Sequence, residues 1–351
     1  TIDPEPVYAA DLEKLYLQRT RDFVQDEKYA EGKREQRSGL LDLTTRMGRF
    51  SLSDPTGLVM SHPVDGINFT VNAVRTQVFL GAGYTGFINK EFSGVSMSIR
   101  DSVESDDDDI LFGPARLLGR GTVVYPELLF GQNLSLGFVF QQDLRDPEDV
   151  VESGTEPDNV DEPGGLVDTQ YAIAVLDGPL PTSVPLFYKV GYVYNTGRTM
   201  GLLEDDTAVS GESYQYGQIK AHLVQARLQL FLPELFSSAL TAGLVFSSGD
   251  EDYASYTEGN REDDATMFTA VTPPGYGAVF GLQPGNATIN EISLSAKPLE
   301  ESGIGWLESL QTQLAMYNYF RAAPSGPVSV SDVDASTDGS YLGSEIDIVT
   351  R

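Results

Sequence analysis

From Gly39 onward the chain alternates with a period of two, and that period confines it to sheet. Leu134, Leu136, Phe138 and Phe140 fall on one side of a pleated segment, and Ser135, Gly137, Val139 and Gln141 on the other. Leu186, Tyr188, Val190, Tyr192 and Tyr194 alternate in the same way with Phe187, Lys189, Gly191, Val193 and Asn195. Leu240, Ala242, Leu244 and Phe246 alternate with Ala239, Thr241, Gly243 and Val245. Tyr171, Ile173 and Val175 oppose Gln170, Ala172 and Ala174, while Leu310, Leu314 and Met316 oppose Gln311, Gln313 and Tyr317. One face is apolar. The other is rich in Gly, Ala, Ser and Gln, where the solvated face of a soluble sandwich would carry Lys, Glu and Thr. Apolar outside and wetter inside is the pattern of a sheet facing hydrocarbon.

The connections point the same way. Strands are expected at 40–52, 65–73, 76–88, 118–130, 134–143, 168–178, 184–196, 214–232, 237–248, 288–297, 308–321 and 339–350. Short links fall near 73–75, 131–133, 178–183, 233–236 and 298–307, and long ones at 53–64, 89–117, 144–167, 197–213, 249–287 and 322–338. Strict alternation of short and long links gathers every long loop at one end. The expected fold is all-β: a closed, up-and-down, antiparallel transmembrane β-barrel of about 12 strands, within the range 12–14. Even closure would put both termini on the periplasmic side. Barrels of this kind commonly finish on an aromatic residue, whereas this chain stops at Arg351. A final hairpin beyond it would bring the total to about fourteen strands. Within 214–232, Ile219, Ala221 and Leu223 have one parity and Ala226, Leu228 and Leu230 the other, so a bulge is expected near Val224 and Gln225. Residues 1–39 differ in character. Leu12, Leu15, Leu17 and Phe23 stand loosely at helical spacing within Tyr8–Tyr29, which predicts a partly helical, periplasmic extension before a barrel over 40–351.

Composition removes several function classes. With 52 Asp plus Glu against 23 Lys plus Arg, the formal charge is −29, which opposes nucleic-acid binding. The chain has no cysteine, so disulfides and thiolate chemistry are excluded. It has two histidines, His62 and His222, and no G-x-S-x-G elbow, so an enzyme is not expected. No apolar run is long enough for a membrane-spanning helix. Thr1 opens a polar, Pro-containing stretch, which reads as the mature form of an exported protein.

The segment Met47-Gly-Arg-Phe-Ser-Leu-Ser-Asp-Pro-Thr-Gly-Leu-Val-Met-Ser-His-Pro-Val-Asp-Gly-Ile-Asn68 resembles the start of alginate-export-type and related porin-like outer-membrane barrels. Gly48, Arg49 and Phe50 match a strand end that leads into a loop, and Asp65 and Gly66 match the return. Tyr341-Leu-Gly-Ser-Glu-Ile-Asp347 resembles a late strand of the same barrels. The resemblance implies a bacterial outer-membrane conduit. It does not favour alginate itself, because that family's conduit is strongly basic inside and this chain is poor in Arg and Lys.

On this parity the pore-lining candidates are Asp42, Arg46, Glu127, Lys189, Arg227, Lys297, Glu345 and Asp347. Opposite charges across a lumen would set up a transverse field; in a small barrel they could instead pair and fill it. The acidic loops Ser105–Asp109, Asp146–Asp149, Glu156–Glu162, Asp250–Asp252 and Glu262–Asp264 crowd carboxylates. Of these, Asp106, Asp107, Asp108 and Asp109 are the candidate ligands for Ca²⁺, the one cofactor considered. Trp306 lies beside a proposed periplasmic turn, as an interfacial girdle residue would. The expected function is a porin-like channel for small hydrophilic solutes, cation-preferring because of the acidic balance. The alternative is a binding barrel that docks a protein, glycan or surface layer through its extension or loops. A soluble sandwich with decorated loops is the third reading.

Overall fold

The computed structural model describes residues 15–22, 41–73, 75–145, 167–253, 255–257, 264–330, 333 and 339–351. They form thirteen antiparallel strands, each bonded to its neighbours in sequence order. The strands are β1 (Leu15–Asp22), β2 (Leu41–Ser53), β3 (Ser61–Ala73), β4 (Thr76–Tyr84), β5 (Arg116–Leu129), β6 (Gln132–Asp143) and β7 (Val167–Pro179). They continue as β8 (Leu186–Glu204), β9 (Glu212–Leu232), β10 (Ser238–Ser247), β11 (Ala287–Ala296), β12 (Thr312–Arg321) and β13 (Tyr341–Thr350). Among the described residues, helix is limited to α1 (Ile99–Asp106), the single turn α2 (Gly305–Glu308) and a 3₁₀ turn at Lys90–Phe92. This is the up-and-down all-β barrel expected. No ladder joins β1 to β13 among the described residues.

The inversion of faces is explicit. Phe138, Tyr192 and Leu244 are 46%, 44% and 37% exposed on the outer wall, not gathered in a centre. From β2 onward the links 74–75, 130–131, 180–185, 233–237 and 297–311 fall at one end and 54–60, 85–115, 144–166, 205–211, 248–286 and 322–340 at the other, so the molecule has a turn end and a loop end; pairing of β1 with β2 places Leu15 at the loop end, not at the end expected for the extension. At the turn end β5 and β6 meet through Phe130 and Gly131, both at positive φ (51° and 81°), as a two-residue hairpin matched to strand twist requires.

Four further expectations need correction. Leu15–Asp22 is a strand, not a helix, and pairs with β2 from Leu15↔Arg49 to Asp22↔Asp42. A ladder to β2 satisfies backbone groups that a helix would leave bare on that edge. The remaining parts of the extension, 1–14 and 23–39, lie outside the described residues. The loop expected at 197–213 is mostly strand, because β8 and β9 continue their ladder up to Glu204↔Glu212. Pairing in β8–β9 runs without a register shift, so there is no bulge at Val224. Ile219, Ala221 and Leu223 simply point inward, against loops that fill the barrel there. For the same reason the apolar set of β7 is inverted: Tyr171, Ile173 and Val175 are buried inside, and Gln170 and Ala172 face out.

Candidate functional site

The barrel interior divides into two halves. At the loop end, connections fold inward and make a dry core. Leu58, Val59 and Met60 from the β2–β3 connection meet Met267, Phe268, Ala270 and Val271 from the β10–β11 connection, all buried. The backbone N–H groups of Val271 and Thr272 donate to the Val59 carbonyl at 2.8 and 3.1 Å. The Tyr171 hydroxyl donates to the Thr269 carbonyl at 2.7 Å, tying that connection to β7.

Toward the turn end the interior opens into a cavity of about 910 Å³ bounded by strands β4 to β9. Arg120, Lys189 and Arg227 line it together with Glu127 and Asp177. Phe79, Val175 and Phe187 supply its apolar part. Lys189 and Arg227 are direct cross-strand partners, as are Asp177 and Lys189, so opposite charges are stacked on neighbouring strands. The Asn133 amide donates to Asp177 at 3.1 Å, and the Arg120 guanidinium lies 5.5 Å from the Phe79 ring centre.

The roof of this cavity is a strap, residues 54–60. Its organiser is Asp54, which is buried. One carboxylate oxygen accepts from the N–H of Val59 at 3.0 Å and of Met60 at 2.9 Å. The other accepts from the N–H of Thr56 at 2.7 Å and of Gly57 at 3.1 Å, and from the Thr56 hydroxyl. The strap and the strand end before it are pinned to the walls through carbonyls: Lys189 Nζ donates to Thr56 O at 3.0 Å, and Arg120 donates to O of Ser53, the last residue of β2. Glycine lets it approach closely. A Cβ at Gly137 would meet Pro55 at 3.2 Å, and one at Gly191 would meet Thr56 at 3.3 Å.

A second polar cluster lies at the loop end. Helix α1 is seated on the wall by Asp101, which closes a capping box with Ser98 and receives Arg116 Nη2 on both oxygens at 2.7 Å. Asp143 and Arg145 complete the group, with Arg145 Nη2 3.1 Å from Asp101 and Arg116 Nη1 3.4 Å from Asp143. Burial alone would raise the Asp101 carboxyl, but Arg116 and Arg145 outweigh it and hold that carboxyl below its usual range. A depressed folded value means full stabilisation above the unfolded pKa and loss as pH falls through the folded one. The connection bearing α1 should therefore stay protease-resistant down to about pH 4 and become cleavable below it. Limited proteolysis of residues 85–115 across an acid series checks this, and cleavage that begins near neutrality would contradict it.

The sequence-derived candidates separate into groups. Glu127, Lys189 and Arg227 line the cavity. Asp42 and Arg46 share the inward parity of β2, and Asp42 accepts from Asn72 at 2.7 Å. Glu345 and Asp347 face inward on β13 but are occupied by a connection. Glu345 accepts from the N–H of Val279 and Phe280 at 2.6 and 3.0 Å, and Asp347 from that of Ala278 at 3.0 Å. Lys297 lies one residue past β11, in the turn, with its N–H on Phe236 O. Asp106–Asp109 are exposed at the end of α1, and no cluster of three or more metal-capable side chains occurs among the described residues. Asp250 accepts from Thr266 N–H at 2.8 Å as a loop organiser. Asp146–Asp149, Glu156–Glu162, Glu262 and Asp263 lie outside the described residues. Trp306 is exposed in α2.

Sequence reasoning missed Arg120, Asp177 and Asp54. The first two were legible from parity, since each alternates with the outward residues of its own strand. Asp54 had only the turn signal of Asp-Pro-Thr-Gly.

No family model matches the chain and no curated protein does. The resemblance to alginate-export-type barrels therefore stays with the residues that carry it. Among solved structures, similarity is found to Pseudomonas aeruginosa OpdK with vanillate, at 14% identity and a TM-score of 0.32, covering 81% of this chain and 72% of that one. It is also found to Pseudomonas aeruginosa OccK2 (OpdF) in complex with glucuronate, at 10% identity and a TM-score of 0.31, covering 86% and 73%.

Proposed function

We propose that the protein is a bacterial outer-membrane channel for passive passage of small hydrophilic solutes. One observation carries the reading: a charged cavity of about 910 Å³ is enclosed by a sheet whose opposite face is exposed and apolar. Such a wall is stable in hydrocarbon and exposes several large side chains unfavourably in water. Short turns would then face the periplasm and long loops the outside.

A preference for cations is the finer part of the proposal. Its support is the net charge of −29, with acidic runs in the connections at the loop end. Inside the cavity the signs are closely balanced, so selectivity would arise at the mouth. Planar-bilayer recording under a salt gradient tests both levels. Stable ohmic steps with a cation-directed reversal potential are expected. Steps with an anion-directed potential would remove the preference, and the absence of steps from folded protein would remove the channel.

The packed core at the loop end favours a second reading, a barrel occluded there that serves to bind a partner through its connections. The same recording separates the two.

A further inference from the structure

We propose that Asp54 is the positioning residue that sets both the width and the charge preference of the passage. The inference rests on the channel reading and concerns the strap that roofs the cavity. Five donors of residues 56–60 converge on the Asp54 carboxylate, so the strap's shape depends on one buried anion. Lys189 bonds the strap at Thr56 O, and Arg120 bonds the end of β2 that leads into it at Ser53 O. The same carboxylate is a counter-charge to both cations, since it acts electrostatically on Arg120 and on Lys189. Asp54 therefore has two functions at one point. It folds the strap across the lumen, and it offsets the positive charge of the two groups that border the cavity beneath.

Removing the charge should act on both. In Asp54→Asn the amide oxygen still accepts, but the amide nitrogen faces N–H donors, and two or three of the five bonds to residue 54 are lost. The strap withdraws from the far wall, Arg120 and Lys189 lose their counter-charge, and the cavity becomes net positive. Expected in planar bilayers is a rise in single-channel conductance of about twofold or more, with the reversal potential moving toward anions.

Because the chain has no native cysteine, the strap's position can be read independently of conduction. Thr56→Cys with Gly191→Cys places two thiols across the closest approach of strap and wall, where a Cβ at 191 meets Thr56 at 3.3 Å. In the otherwise native chain this pair should oxidise readily with added diamide. Added to Asp54→Asn it should oxidise about tenfold more slowly, the strap then reaching the wall only in a minor population. Once formed, the bond should bring the conductance of the Asp54→Asn chain to that of the oxidised pair with Asp54 present, and reduction should release it again. Equal oxidation rates with and without Asp54 would overturn the positioning role, whether or not the protein conducts. A native chain that conducts, with Asp54→Asn unchanged in conductance and reversal potential, would overturn the inference and leave the channel standing. A native chain that does not conduct would remove the channel reading, and the oxidation rates would still decide the role of Asp54 in placing the strap.

Discussion

Leu136→Arg is expected to prevent assembly of the barrel in membranes, whereas Ser135→Arg, one residue away, should assemble and change conductance. Leu136 stands in the middle of the outward row of β6, between Leu134 and Phe138, and is 45% exposed on a wall built of such residues. Its cross-strand partners, Val123 and Ala174, continue the apolar surface on both sides and offer no polar group to a guanidinium. An arginine near the bilayer midplane on this face costs about 2–4 kcal/mol, which is a large share of the roughly 5–15 kcal/mol that stabilises a typical native protein. Ser135 has the opposite parity and lines the cavity, where water and Asp177 can receive a guanidinium. Heat-modifiable migration after folding into lipid reads assembly. If Leu136→Arg assembled as well as Ser135→Arg, the outer and inner faces would have been exchanged.

Arg116→Met should be the most damaging single change at the loop end. Arg116 is 0% exposed and faces Asp101 and Asp143, whose side chains are equally buried. Methionine fills a similar volume but leaves those carboxylates with Arg145 as the remaining cation of the group. Removing one member of a buried ion cluster typically costs about 3–5 kcal/mol, mostly the cost of the charges left behind. The expected result is release of α1 and of residues 85–115, read as new protease cleavage there with the strands still folded. Adding Asp143→Asn should recover much of the loss, because Asp101 and Arg145 then remain as a balanced buried pair. If the double variant is no better than Arg116→Met, packing and not charge holds the helix in place.

The fold was largely legible because most strands carry their burden on one side. In β6, β8 and β10 the outward residues are apolar and the inward ones small or polar, so the period of two also reveals direction. Where loops fill the barrel, both faces are apolar and direction is lost. That is why Tyr171 and Ile173 read as outward, and why the unbroken β9 read as bulged. The site was half legible. Lys189 and Arg227 follow from strand parity, whereas Glu127, odd where the inward residues of β5 are even, reaches the cavity past the irregularity between Tyr125 and Leu129; what a loop does cannot be read from alternation. Asp54 lies in a stretch that reads as a solvated turn, and the strap it organises is held at Val59 O by Val271 and Thr272, which are far away in the chain. Glu345 and Asp347 were placed on the correct face, yet their amide partners come from a connection that carried no periodic signal.

The length of the β8–β9 hairpin has a practical consequence. Outward apolar residues on β8 that are at least partly exposed stop at Tyr194, and the strand continues to Glu204, with Met200 and Leu202 of the same parity buried. At about 3.3 Å per residue, that continuation extends roughly 30 Å along the strand, before tilt is considered. On the proposed orientation, its tip at 205–211 would stand out like a jetty beyond the lipid headgroups, with Val209 96% exposed at the end. An epitope tag inserted at 205–211 should therefore be accessible from the loop end with the strands still folded.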